Sequence, residues 1–233
     1  EGTIPIGEAA RCMNRELEIG SCLMKENVIN CMGMAMENIL SRPTSGISRN
    51  SDDFITDRSG FIEHLIQKVY NSTYHNQLYY CDWDMFWTKH DDAIKHSMLR
   101  AISGGPIYFS DRVGDTISNI LEPLVYSDGK ILRMDRSAKP TDDCLFNNPK
   151  QVGFLKIHNV TSWGSKLKGG IMSVFNISDS NQKISFKPSD IPDIEICDNY
   201  WIYDYLSKNV SSIGRNQVFD ANIQQFGFGW YII

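Results

Sequence analysis

The chain has 233 residues, 42% of them hydrophobic and 11% aromatic, with a net charge of −5. That is enough apolar material for a sizeable core, and its scattered Lys and Arg exclude the basic footprint of a nucleic-acid binder. No stretch approaches the ~20 apolar residues of a membrane span, Glu1-Gly2-Thr3-Ile4-Pro5 lacks the basic start and apolar block of a secretory leader, and the six dispersed cysteines point to a reducing, cytoplasmic setting.

Between Ile6 and Lys25, Ala10, Met13, Leu17 and Cys22 recur at helical spacing, which predicts an amphipathic helix. Val28 to Met32 reads as a short buried strand, Ala35 to Leu40 as a helical turn or two ended by Pro43, and Gly46 to Asn50 as a second strand. Gly60 to Asn71 carries Phe61, Leu65, Ile66, Val69 and Tyr70 on one helical face. Leu78 to Asp82 is a third strand, Asp91 to Ile102 a helix with Ala93, Ile94, Met98, Leu99 and Ala101 inward, and Pro106 to Ser110 a fourth strand before a helix through Ile117, Ile120 and Leu121. Strand and helix thus alternate four times, which predicts a parallel α/β sheet with right-handed crossovers.

The pattern changes after Asn148-Pro149. Phe154–Asn159, Gly170–Ile177, Lys183–Lys187, Tyr200–Tyr205 and Gln217–Ile232 are strand-like runs separated by turn residues such as Asp179-Ser180-Asn181 and Lys208-Asn209, which predicts a β-sandwich. Four βα units make half of an eight-stranded barrel, with parallel edges left to cover. A complete doubly wound sheet is the alternative, but no glycine-rich phosphate loop follows any of the four strands.

Two acidic clusters follow predicted strands: Asp52-Asp53 after Arg49, and Asp82 and Asp84 within Cys81-Asp82-Trp83-Asp84-Met85-Phe86. An Asp-Asp pair in a loop is ordinarily a solvated surface feature. Here it sits on the rim where the carboxyl ends of parallel strands build barrel active sites, so at least four carboxylates and a guanidinium collect in one cleft. Glycoside cleavage needs a carboxylic acid to protonate the leaving oxygen and a carboxylate, ~5 Å away in the retaining geometry, to attack the anomeric carbon. Of Trp83, Phe86 and Trp87, one aromatic face open to the cleft would suit the apolar face of a sugar ring, and Trp83 is assigned to it. His90 and His96, six apart, do not share a helical face and read as structural. No metal site and no cofactor are expected.

Cys81-Asp82-Trp83-Asp84-Met85-Phe86, His90, His96 and Arg100-Ala101-Ile102-Ser103-Gly104-Gly105-Pro106-Ile107-Tyr108-Phe109-Ser110-Asp111 resemble the raffinose synthase or seed imbibition protein family of α-galactosidase-type glycoside hydrolases. The likeness continues through Leu121-Glu122-Pro123-Leu124-Val125, Asp128-Gly129-Lys130, Pro140-Thr141-Asp142-Asp143-Cys144-Leu145-Phe146 and Gly170-Ile171-Met172-Ser173-Val174-Phe175-Asn176, and covers residues 28 to 177. The resemblance implies a (β/α)₈ barrel with a C-terminal β-sandwich and a retaining mechanism with two aspartates. Asp53, four residues after Arg49, matches the acid/base aspartate, with Asp52 as the second candidate and Arg49 as its charge partner. By the same comparison Cys31 matches a substrate-contacting cysteine, with a buried inert thiol as the alternative, and Asp82, Asp84 and Asp111 would shape the sugar pocket. The family's nucleophile ends a strand in a Lys-x-Asp context, and no such strand end precedes Cys31.

The resulting expectation is α/β: the second half of a (β/α)₈ barrel over 1–125, a connector over 126–150 and an all-β sandwich over 151–233. Its function would be that of part of a retaining α-galactosidase or galactosyltransferase acting on small α-galactosides. This chain would carry the acid/base, lack the nucleophile, be inactive alone and require the preceding half of the enzyme, with neither nucleic acid nor membrane as a partner. A non-catalytic carbohydrate-binding or scaffold protein of the same fold is the rival.

Overall fold

The first half of the chain alternates helix and strand as its periodicity predicts. In the computed structural model, which describes residues 3–163 and 167–233 and so leaves out Glu1 and Gly2, α1 (Ile6–Met24) precedes β1 (Ile29–Asn30). Then come α2 (Met36–Ile39), β2 (Ile47–Arg49), α3 (Arg58–His75), β3 (Tyr80–Asp82), α4 (Ala93–Ser103) and α5 (Ser118–Leu121). The three strands pair in parallel in the order the chain makes them, Ile29 beside Ile47 and Ser48 beside Cys81. Sequential order without a reversal is that of a barrel wall.

Local chemistry fixes these elements. Asp57 caps α3, its carboxylate accepting the Gly60 N–H at 2.7 Å, and Phe61, Leu65 and Val69 at four-residue spacing are buried. Leu65 is fully enclosed, so truncation to Ala would cost about 2–5 kcal/mol. In α1 it is the polar edge that docks: Asn14 and Glu18 are buried, whereas Met13 and Leu17 are 68% and 65% exposed. Glu18 accepts the amide N–H groups of Thr44 and Ser45 at 2.7 and 2.9 Å, and both their hydroxyls, which ties the helix to the loop before β2.

The strand expected over Pro106–Ser110 is reduced to one parallel bridge, Phe86 to Phe109, with the Ser110 N–H on the Phe86 carbonyl at 3.1 Å. Pro106 has no N–H to give a ladder. Gly104, at φ 74°, and Gly105 press so closely on the carbonyls of Arg136 and Cys81 that a Cβ would lie 1.8 and 2.0 Å from them. The chain leaving α4 is therefore drawn against the connector before it can extend.

The second half comprises β4 (Lys139–Pro140), α6 (Asp142–Leu145), α7 (Pro149–Val152), β5 (Phe154–Trp163), β6 (Leu167–Asn176) and β7 (Gln182–Phe186). It ends with β8 (Asn199–Asp204), β9 (Asn209–Gly214), β10 (Phe219–Ile223) and β11 (Phe228–Ile232). An antiparallel sheet of order β4-β5-β6-β11-β8-β9 packs against the two-stranded sheet β10-β7. The run expected from Gln217 to Ile232 is two strands in different sheets, and β9 occupies a stretch to which no strand was assigned and whose first residue, Asn209, was read as part of a turn. The connector supplies the edge strand β4 and the buried residues Ala138 and Cys144.

The large sheet belongs to two cores. Leu155, Ile157, Ile171, Phe175 and Trp230 face the helices of the first half, whereas Val160, Met172, Val174 and Tyr231 face Ile184, Phe186, Ala221 and Ile223 of the small sheet, as side-chain alternation along a strand requires. Phe61 of α3 meets Phe175 and Phe226 at 6.0 and 5.8 Å. Lys95 of α4 places Nζ 3.7 Å from the centre of the Phe226 ring and 3.0 Å from its carbonyl oxygen.

Candidate active site

β2 and β3 end side by side, with Arg49 opposite Asp82, and the last residues of both strands turn toward one guanidinium. Arg49 places Nε 3.2 Å from Asp82 Oδ2, Nη2 2.7 Å from Asp84 Oδ1 and Nη1 3.3 Å from Asp53 Oδ1. Its side chain is 13% exposed, those of Asp82 and Asp84 are buried, and that of Asp53 is 87% exposed. Of the three carboxylates on this guanidinium, only Asp53 faces solvent. Burial pulls the Arg49 pKa down, but Asp84, Tyr108 and Asp82 outweigh it and hold it above the usual arginine value.

The buried pair is fixed by further bonds. Asp82 accepts the Tyr108 hydroxyl on Oδ2 and the Asp84 N–H on Oδ1, both at 2.8 Å. Burial, then Asp82, push the Tyr108 phenol pKa up, so it stays a donor. Asp84 adopts φ 63°, a left-handed conformation Asp tolerates better than most residues. Its Oδ1 accepts the Met85 N–H at 2.7 Å and its Oδ2 the Phe54 N–H at 2.6 Å. Below, fully buried Arg100 donates to the carbonyls of Asp84 and Met85 at 3.1 and 2.6 Å and to His96 Nδ1 at 3.0 Å. Burial lowers its pKa to about 10 against the opposing pull of Asp84 and Asp82. The two buried carboxylates are thus both paired with Arg49, as buried charge requires, while Arg100 holds the backbone beneath them.

The structure separates the two acid/base candidates. Asp53 bonds Arg49, whereas the Asp52 carboxylate accepts Gln67 Nε2 at 2.8 Å while its N–H donates to Gln67 Oε1 at 2.8 Å. Cys31 is an exposed free thiol one residue beyond β1; continuing the Asn30–Ser48 register puts it level with Arg49. Two expected sugar contacts are placed otherwise. Trp83 is completely buried, its indole N–H on Ser72 Oγ at 2.9 Å, because its side chain points from the strand end into the α3 layer. Trp87 is left open near the rim, 41% exposed and edge-on to Phe54 at 5.6 Å. Asp111 is taken up by Thr88, accepting its N–H at 2.7 Å and its hydroxyl at 2.6 Å, so it clamps two loops together. His90 and His96 do meet, rings 4.9 Å apart, because His90 precedes the helix.

Tyr108, Arg100, His64, Lys68 and Gln67 were not singled out in the sequence. A signal existed for two pairs: His64 with Lys68, and His96 with Arg100, lie four apart on helix faces that also carry core residues.

Parallel strands in sequential order backed by an antiparallel β domain recur in solved structures. Alpha-galactosidase I from Mortierella vinacea superposes with a TM-score of 0.64 at 9% identity, over 99% of this chain and 64% of that one. The family model described as raffinose synthase or seed imbibition protein Sip1 matches residues 15–184, and the chain belongs to that family. It is 38% identical over 149 residues to a galactinol–sucrose galactosyltransferase of Oryza sativa subsp. japonica, covering 59% of this chain and 18% of the relative. With the stachyose synthase of Pisum sativum the identity is 41% over 115 residues, 48% of this chain and 13% of the relative. The chain spans about a fifth of the length of the first curated relatives it matches.

Proposed function

We propose that this chain carries the acid/base side of a retaining galactosyl-transfer site for small α-galactosides of the raffinose series. The observation that supports this reading most is the Arg49 bracket: one exposed carboxylate, Asp53, on a guanidinium held from behind by buried Asp82 and Asp84. In the first step Asp53 gives its proton to the departing oxygen as the bond to the anomeric carbon breaks and a carboxylate forms a bond to that carbon. In the second, Asp53 takes the proton of an acceptor hydroxyl as its oxygen displaces the enzyme. Because Arg49 is shared by three carboxylates, Asp53 can be protonated without leaving the guanidinium unpaired. The attacking carboxylate belongs, on this reading, to barrel strands outside this chain: Asp52 is engaged by Gln67, and no Lys-x-Asp strand end precedes Cys31.

Transfer to a sugar hydroxyl is favoured over hydrolysis by the names of the curated relatives, galactinol–sucrose galactosyltransferase and stachyose synthase. A cytoplasmic setting is supported by six cysteines that are all unbridged, Cys81 and Cys144 being buried. The test is Asp53→Asn in the enzyme that joins this chain to its remaining barrel strands, assayed with galactinol and sucrose. The expected loss in kcat is about 10²–10⁴, and far less with a nitrophenyl α-galactoside, whose leaving group needs no proton. An undiminished rate with galactinol, or raffinose formed by the 233 residues alone, would overturn the reading.

A further inference from the structure

The peptides on either side of Asp53 are each held by a buried side chain from another part of the fold. His64, on α3, has Nε2 2.5 Å from the Asp52 carbonyl oxygen, and Asp84 accepts the Phe54 N–H at 2.6 Å. Both side chains are buried, and His64 Nε2 lies 3.7 Å from Asp84 Oδ2, so the two grips share one locus beneath the loop. On its other side His64 meets the Nζ of Lys68, one turn further along α3 and fully buried, at 2.9 Å from Nδ1.

We propose that His64 and Asp84 form a two-point clamp that positions Asp53 for proton transfer, with Lys68 fixing the imidazole tautomer on which the clamp depends. A nitrogen facing a carbonyl oxygen must carry the proton, so Nε2 is the N–H and Nδ1 the lone pair. Lys68 supplies an N–H to that lone pair; without it the proton could move to Nδ1 and leave Nε2 and the Asp52 carbonyl lone pair to lone pair. The clamp accounts for a polar pair at the centre of a helix face otherwise occupied by Phe61, Leu65 and Val69. It also accounts for an exposed carboxylate on an ordered backbone: the Asp53 side chain reaches solvent from its contact with Arg49 while both neighbouring peptide planes are fixed, which is what a proton donor that must meet a substrate oxygen within hydrogen-bond reach requires.

The role given to Asp53 rests on the proposed acid/base reading, but the clamp is tested without turnover, so each can fail alone. Backbone amide exchange is followed in the 233-residue chain and in His64→Leu and His64→Gln, together with a long-range ¹H–¹⁵N spectrum of the histidine rings. Leu fills the volume without a donor, and Gln keeps an N–H at the Nε2 position. His64→Leu is expected to speed Phe54 amide exchange roughly tenfold while the Leu99 amide is unchanged, and His64→Gln to restore it. In the native chain the spectrum should show Nε2 protonated and Nδ1 bare, and Lys68→Met should mix the two tautomers. Equal exchange in the Leu and Gln variants, or a native ring protonated at Nδ1, would overturn the proposal. Should the Leu variant not fold, the native tautomer and the Lys68→Met spectrum decide.

Discussion

Nη2 of Arg49 lies 2.7 Å from Oδ1 of Asp84, joining the end of one strand to the loop after the next. Removing the guanidinium leaves Asp82 and Asp84 buried with Arg100 as the remaining close guanidinium, so Arg49→Ala should destabilise the chain by about 3–5 kcal/mol. Arg49→Lys should recover little, since one ammonium cannot span three carboxylates. Urea midpoints measure both; an alanine variant with the native midpoint contradicts the assignment.

Acid should weaken the fold well before the carboxylates titrate. Burial, with Lys68 and Arg100 adding repulsion, pushes His64 down to about 3; burial and Lys139 push His158 down to about 4; and burial and Arg100 push His96 down as well. Each is neutral when folded and takes up a proton near pH 6.5 when unfolded. Below that value the unfolded state binds more protons, so stability is full above about pH 6.5 and falls as pH drops, by up to about 1.4 kcal/mol per pH unit for each histidine. The urea midpoint should therefore drop between pH 7 and pH 5; a flat profile over that window would count against buried neutral histidines.

Gly104 and Gly105 admit no side chain. A Cβ on either would sit within about 2 Å of a backbone oxygen, and Gly104 also has positive φ. Gly104→Ala and Gly105→Ala should each cost about 3 kcal/mol or more, read as a fall in melting temperature. Gly114→Ala, where nothing lies within 4 Å of the added carbon, should cost only about 1 kcal/mol for its positive φ.

Glu18 tethers α1. Burial raises its pKa, but bonds from Ser45 and Thr44 outweigh this and leave it lowered. Glu18→Gln removes the charge and one acceptor oxygen and should cost about 1–3 kcal/mol, with faster hydrogen exchange along Ile6–Met24 and no change in β5 and β6. Uniform exchange in the variant would mean that α1 is held by something else.

Long amphipathic elements were legible because their periodicity reports their environment: α3 and α4 fall where Phe61, Leu65, Val69, Met98 and Leu99 require. The Arg49–Asp53 pairing was implied by the family resemblance, and the two side chains do form an ion pair. β9 was not legible, because in its alternation only Ile213 is buried, nor was the division of Gln217–Ile232, where the chain reverses through Gln224–Gly227. The fourth strand failed for a non-local reason, the carbonyls of Cys81 and Arg136 against Gly105 and Gly104. Trp83 and Asp111 were misplaced for the same reason: which way a side chain turns at a strand end depends on partners, here Ser72 and Thr88, that spacing does not reveal.

The large antiparallel sheet lends one face to each core. Cutting the chain at residue 150 would therefore not liberate two autonomous modules: it would strip Leu155, Ile157, Phe175 and Trp230 from beneath α3 and α4 and leave the rim without a floor. The all-β half is thus a foundation for the acidic rim, and insertions or shuffling at that junction should be tolerated far less than its loop-like sequence suggests.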